Sequence, residues 1–186
     1  MSSILLTAPA VEPLSLAEAK AFLRVEHNDD DDVIGALIAS ARIHVEAQTR
    51  RALVTQSWRL TLDAWPADGR LAVRPAPLIA LTAARVYDES DNAGALDLQA
   101  FVVDTAGSQL AFAPWALAQP GRAVAGIELD VSVGYGDAVS AVPEPLRHAV
   151  RLLTAHWYEN RGITGSGSVL PTTVAALIAP YRMLSL

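Results

Sequence analysis

The hydrophobic period of this chain changes twice. Up to about Thr49 apolar residues recur every three or four positions, from Thr55 to Tyr135 they tend to alternate, and from Leu146 the wider spacing returns. A period near 3.6 lines one face of a helix and a period of two lines one face of a strand, so neither pattern can serve for the other. The chain is therefore restricted to an α+β fold: a helical bundle made of an N-terminal hairpin and C-terminal helices, with a small antiparallel β-sheet or barrel-like region inserted between them.

The first helix opens at Pro13-Leu14-Ser15-Leu16-Ala17-Glu18, where Ser15 and Glu18 have capping-box spacing. It runs to about Val25 on a stripe of Leu16, Ala19 and Leu23 flanked by Phe22, and His27-Asn28 ends it. Asp29, Asp30, Asp31 and Asp32 then stand at the start of a longer helix, where carboxylates favour the positive end of the dipole. Val33, Leu37, Ala41 and Val45 recur every fourth residue with Ile34 and Ile38 beside them, which completes a hairpin over residues 1–52.

Residues 53–142 read as the β-rich insertion. Strand patterns fall at Thr55 to Leu62, Arg70 to Arg74, Leu81 to Tyr87, Phe101 to Asp104, Gln109 to Phe112 and Ile127 to Tyr135. Turn signals separate them, among them Pro66-Ala67-Asp68-Gly69, Pro75-Ala76-Pro77 and Asp91-Asn92-Ala93-Gly94. Helix resumes over 143–161 after Pro143-Glu144-Pro145, with Leu146, Val150, Leu153 and Trp157 as its buried line. Residues 162–169 form a Gly/Ser hinge carrying Gly162, Gly165 and Gly167, and 170–186 a C-terminal arm whose short helix ends or kinks at Pro180. The whole reads as a single domain over 1–186.

Composition narrows the function. A chain of 186 residues with 52% hydrophobic content can fill one core, since a domain of this size buries about 70% of its unfolded surface. With no cysteine, disulfide scaffolds, thiolate metal sites and cysteine nucleophiles are all excluded. No apolar run reaches the ~20 residues that span a bilayer, and the N-terminus lacks the order of a signal peptide, so the chain reads as soluble and cytoplasmic with no membrane partner.

The net charge of -6 disfavours a protein that grips nucleic acid, because that affinity comes from cations neutralising phosphates. Lys20 is the sole lysine among fourteen basic residues, a bias that fits a GC-rich genome. By segment the charge is -3 over residues 1–52, -5 over 53–142 and +2 over 143–186. This polarity suits a basic end meeting an acidic surface.

No constellation supports catalysis or a cofactor. His148 and His156 share a helix but stand about 12 Å apart along it, too far to ligate one ion. The four aspartates lack the alternating ligands, glycine and distal glutamate of a calcium loop and read as a solvated cap, with an acidic patch that lines a channel or meets a basic neighbour as the functional alternative. Gly134-Tyr135-Gly136 completes no nucleotide-binding fingerprint and reads as a turn. No serine sits in a nucleophile elbow. Trp157 falls on the apolar line and reads as core; Tyr158, off it, reads equally as core or interface. The tail is apolar, weakly charged and hard to bury on a small domain by itself, so it reads as a segment that another molecule covers. Tyr181, Arg182 and Met183 beyond Pro180 are residue types enriched at interfaces.

In order and spacing, Pro13 to Lys20, Val45 to Leu53, Gln56-Ser57-Trp58, Arg74 to Leu78, Val131 to Gly136, Pro143 to Arg147 and Ala155 to Arg161 resemble the head-to-tail connector, or adaptor, proteins of long-tailed phages and phage-derived gene transfer agents. The resemblance implies a structural protein forming a ring of twelve subunits beneath the portal, extending the DNA channel and joining capsid to tail. Its partners would be the portal, further copies of itself, a tail stopper or head-completion protein or a tail terminator, and DNA passing through the lumen without specific binding. Its location would be the bacterial host cytoplasm during assembly, then the neck of the particle. Carried over by position, Gly162, Gly165 and Gly167 would be the hinge. Leu170, Pro171, Val174, Leu177, Ile178, Pro180, Tyr181, Arg182, Met183, Leu184 and Leu186 would be the portal-binding arm. Asp29 to Asp32 would line the channel. The alternative is a DNA-packaging accessory protein that contacts DNA.

Overall fold

The computed structural model describes residues 1–160 and 170–183. It divides into two units: Met1–Pro9 with Thr55–Tyr135, and Ala10–Val54 with Gly136–Leu186. The expected α+β composition is present, with eight strands and four α-helices among the described residues.

The first unit holds the strands. These are β1 (Ser2–Thr7), β2 (Gln56–Leu62), β3 (Arg70–Ala72), β4 (Leu78–Tyr87), β5 (Ala93–Ala95), β6 (Phe101–Asp104), β7 (Gln109–Phe112) and β8 (Ile127–Val133). They form two antiparallel sheets with free edges, ordered β1-β2-β8-β4-β5 and β3-β7-β6, in place of one closed barrel. Alternation decides the faces. Leu60 and Leu62 of β2 and Ile127, Leu129, Val131 and Val133 of β8 are buried, while Arg59, Glu128 and Asp130 lie on the opposite face. A second apolar group forms from Trp65, Phe101 and Phe112, whose rings meet at centroid distances of 5.0 to 6.0 Å. Trp65 also donates its indole N–H to the Ala118 carbonyl at 2.9 Å.

The expected strands are present with ends shifted by a few residues, and β4 begins at Leu78, three residues earlier than the pattern indicated. The Pro75-Ala76-Pro77 signal is a connection between β3 and β4 in which both X-Pro bonds are cis. Gly134 and Gly136 lie at φ 131° and 147°, a left-handed region that only glycine enters cheaply, so this segment is the turn its composition indicated. Two strands carry no strand signal in the sequence: β5, whose Ala93 and Gly94 fall in an expected turn, and β1. The Ser-Ser-Ile-Leu-Leu-Thr of β1 does not alternate, and none of its side chains is buried.

The second unit holds the helices α1 (Leu16–Leu23), α2 (Asp31–Thr49), α3 (Glu144–Glu159) and α4 (Thr172–Ile178). The capping box is complete. Ser15 accepts from the Glu18 N–H at 3.2 Å, and Glu18 accepts from the Ser15 N–H at 2.9 Å. Donation to the Glu18 carboxylate from the Ser15 N–H, and then from its hydroxyl at 2.7 Å, holds that carboxyl below its ordinary pKa. In α2 the buried line is Ile34, Ile38, Ala41 and Val45, whereas Val33 is exposed and Leu37 half-buried. The stripe is thus rotated by one residue from the every-fourth pattern, because 3.6 residues per turn displaces a strict period of four. In α3, Leu146, Val150 and Leu153 are buried and Trp157 is half-buried, with its ring edge-on to His44 at 5.8 Å. Arg147 ties the starts of α1 and α3, donating to the Pro13 carbonyl, Glu144 and Glu18 at 3.2, 2.9 and 3.1 Å.

Candidate interaction surfaces

The four aspartates at the head of α2 take four different positions. Asp29 is exposed, with the His27 ring 3.7 Å away. Asp30, at the N-cap, accepts from the Tyr158 hydroxyl at 2.5 Å. Asp31 pairs with Lys20 at 2.6 Å, and the same ammonium donates to Asn28 at 2.7 Å. Asp32 is exposed in the first turn. Two of the four are therefore engaged in holding α1, α2 and α3 together, and Asp29 and Asp32 face solvent.

The C-terminal arm is docked on its own helical unit over its described part. Val174 and Ile178 are buried, Leu170, Pro171, Leu177, Tyr181 and Met183 are half-buried, and Pro180 and Arg182 are exposed. The apolar content of the arm is thus partly satisfied within the subunit, contrary to the expectation that so apolar a tail needs another molecule to cover it. The physical reason is that α4 offers two inward positions one turn apart, which suffices to seat a seven-residue helix on α3 and α2. Pro180 ends the helix as expected, in a 3-10 turn over Ala179–Tyr181. Beyond it the chain closes the end of α2. The Met183 N–H donates to the Thr49 carbonyl at 3.3 Å, Arg182 reaches the Gln48 side chain at 2.9 Å, and Arg51 donates to the Tyr181 carbonyl at 2.8 Å. Carbonyls in the last turn of a helix lack intrahelical donors, so the arm supplies one to α2. The hinge glycines Gly162, Gly165 and Gly167, and Leu184 and Leu186 of the arm, lie outside the described residues.

The β-unit carries features that the sequence reading passed over. On the polar face of the five-stranded sheet, Arg59 forms a two-bond pair with Asp130 at 2.7 and 2.9 Å, and Arg85 adds a bond to the same carboxylate at 2.9 Å. Glu128 stands 3.2 Å from Arg59 and 3.6 Å from Arg85. The hydrogen bond from Arg59, against the cost of burial, holds Asp130 below the usual carboxylate range. The signal was available: Glu128 and Asp130 are two apart in one strand pattern, hence on one face, and Arg59 sits in another strand. The second group is exposed apolar side chains. Ile4, Leu5 and Leu6 of β1 are 53%, 44% and 44% exposed, Val102 of β6 is 67% exposed and Trp115 86%.

Among the described residues no cluster of three or more His, Asp or Glu side chains could hold a metal, and no helix is long and apolar enough to cross a membrane. The arrangement offers surfaces and edges.

Residues 13–94 match the family model described as Phage gp6-like head-tail connector protein. No curated protein matches the chain. Among solved structures, the chain is similar to one from the neck of an empty gene transfer agent particle computed with C6 symmetry, with 27% identity, a TM-score of 0.84, and coverage of 100% of this chain and 97% of that one. A chain from the virion of a native gene transfer agent particle matches at 26% identity and a TM-score of 0.84, with the same coverage. One from the neck of a native particle computed with C12 symmetry matches at 26% and 0.82, again over 100% and 97%. The resemblance read from the sequence is thereby shown from two sides: the phage gp6-like head-tail connector signature runs over residues 13–94, and the fold of gene transfer agent neck chains runs over the whole chain.

Proposed function

We propose that this protein is a structural connector in the neck of a phage-like or gene transfer agent particle, working as a ring that joins capsid to tail and extends the DNA channel, without catalysis. The observation that carries the reading is the match over the full chain to neck chains at TM-scores of 0.82 to 0.84. The symmetry of those neck structures, C6 and C12, supports a twelve-membered ring. A closed ring requires heterologous contacts, so each subunit presents two different complementary patches.

Within this reading the portal is the partner of the C-terminal arm, with Tyr181, Arg182, Met183 and the chain beyond them as the contacting residues. A tail stopper or tail terminator lies on the other side. Asp29 and Asp32, the two solvent-facing members of the acidic group, are the candidates for a channel wall, where like charge keeps phosphates from binding and stalling the duplex. An assembled ring in which both carboxylates point outward would sink that placement.

The test is the mass of the purified protein, alone and mixed with the portal protein of the same particle, by native mass spectrometry. A stoichiometric complex of high mass is expected. A monomer that ignores the portal would overturn the reading, and salt-sensitive duplex affinity would favour a packaging accessory instead.

A further inference from the structure

Among the described residues, the first strand leaves one of its edges free. Strand β1 pairs only with β2, and all six of its residues are exposed. The first eight residues of the chain, Met-Ser-Ser-Ile-Leu-Leu-Thr-Ala, carry no charged side chain and no proline. Proteins blunt solvent-facing edges with lysine, proline, bulges turned outward or a covering segment, because unpaired N–H and C=O groups recruit another strand. The one irregularity is in β1 itself, where Leu6 is an extra residue between Leu5, opposite Trp58, and Thr7, opposite Ser57, so the regular edge runs over the four residues from Ser2 to Leu5. Apolar groups also occupy both faces of the strand: Ile4 lies opposite Arg59 on the polar face, and Leu5 opposite Trp58 on the other.

Three other strands are edges: β5 of the same sheet, and β3 and β6 of the smaller one. Strands β5 and β3 have three residues each, with Ala-Gly-Ala and Arg-Leu-Ala. Strand β6 has four, Phe-Val-Val-Asp, pairs only with β7, and exposes Val102 and Val103 by 67% and 37%. It is the one edge whose length and β-branched, apolar character match β1, since cross-strand pairs of such residues stabilise a sheet.

We propose that β1 of one subunit adds to the β6 edge of a second copy, so that the five-stranded sheet of one and the three-stranded sheet of the next become a continuous eight-stranded sheet across the seam. Two unlike edges on one chain make the contact heterologous, which is the kind that closes a ring. Main-chain hydrogen bonds supply the pairing, and Ile4, Leu5, Val102 and Val103 the side-chain match. This inference rests on the ring reading proposed above.

The absence of cysteine from the chain makes the test direct. Two double variants, Ile4→Cys with Val102→Cys and Ile4→Cys with Val103→Cys, are assembled with the neck partners beside the wild type, oxidised mildly, and run under denaturing, non-reducing conditions. A reducible ladder of covalent multimers is expected from at least one double variant and from none of the three single variants. Leu5→Lys, on a strand already at the surface, is expected to leave the circular dichroism spectrum unchanged and to abolish the multimer. Wild-type multimers with no ladder, and a Leu5→Lys variant that still assembles, would overturn the β1–β6 seam and leave the connector reading standing. A wild type that forms no multimer with any neck partner would overturn both.

Discussion

Asp130 is the residue whose surroundings most clearly set its energetics. It is buried, yet on the polar face of the sheet, and is held by the Arg59 fork and by Arg85. Hydrogen bonds to charged groups contribute about 1.5–3 kcal/mol, so Asp130→Ala is expected to cost about 2 kcal/mol at neutral pH, read from the urea midpoint. Its folded pKa is lowered, so the unfolded chain binds the proton more tightly. The contribution is therefore full above the ordinary carboxylate pKa, about 4, and is lost as pH falls through the lower folded value. The stability difference between wild type and variant should shrink along that acid limb, and a constant difference would refute the assignment. Two simpler positions test local helix physics. Ser15→Ala removes the capping hydroxyl and should cost about 1 kcal/mol. Gly35 lies inside α2, and a Cβ there would meet nothing within 4 Å, so Gly35→Ala should stabilise by about 0.5–1 kcal/mol. Both are read from thermal or urea unfolding of the free subunit.

At the scale of elements, the arm separates stability from binding. Ile178 is fully buried in the helical unit, so Ile178→Ala should destabilise by about 2–5 kcal/mol. Removing the chain from Leu170 onward takes away this contact together with the arm, and is expected to leave a folded but weakened subunit that no longer associates with portal. The cleaner variant is Arg182→Ala with Met183→Ala. It leaves Val174, Ile178 and the backbone bond to Thr49 in place, and should lose portal association while the loss of the Arg182 bond to Gln48 costs about 1 kcal/mol of stability. Unimpaired portal binding by this variant would refute the arm assignment. The same logic explains why the arm's seat on its own subunit is not legible in the sequence. An apolar segment of seventeen residues can be covered by its own chain or by another, and periodicity does not distinguish the two.

At the scale of the molecule, the chain builds two units whose sequence segments interleave. Residues 1–9 join the strands of 55–135, and residues 10–54 join the helices that follow 136. The domain division read from the sequence placed residues 1–52 in one helical segment; the structure assigns the first nine to the β-unit. For the assembled protein, native mass spectrometry with portal should give a countable stoichiometric ring. Duplex DNA should bind weakly to the free subunit with no steep salt dependence, in keeping with a net charge of -6.

What the sequence determined was local and periodic. Capping chemistry placed Ser15 and Glu18, alternation placed the strands within a few residues, the order of motifs pointed to the connector family, and the charge and missing cysteines removed whole classes of chemistry. What only the tertiary structure decided was pairing. An exposed edge strand has no buried face and so writes no alternation into its sequence, which is why β1 was invisible. Strand order and edges depend on contacts between residues far apart in the chain: Arg59 meets Asp130 across 71 positions. The arm's seat on α2 joins residues 134 apart. Such contacts arise from the packing of whole elements, and no local period encodes them.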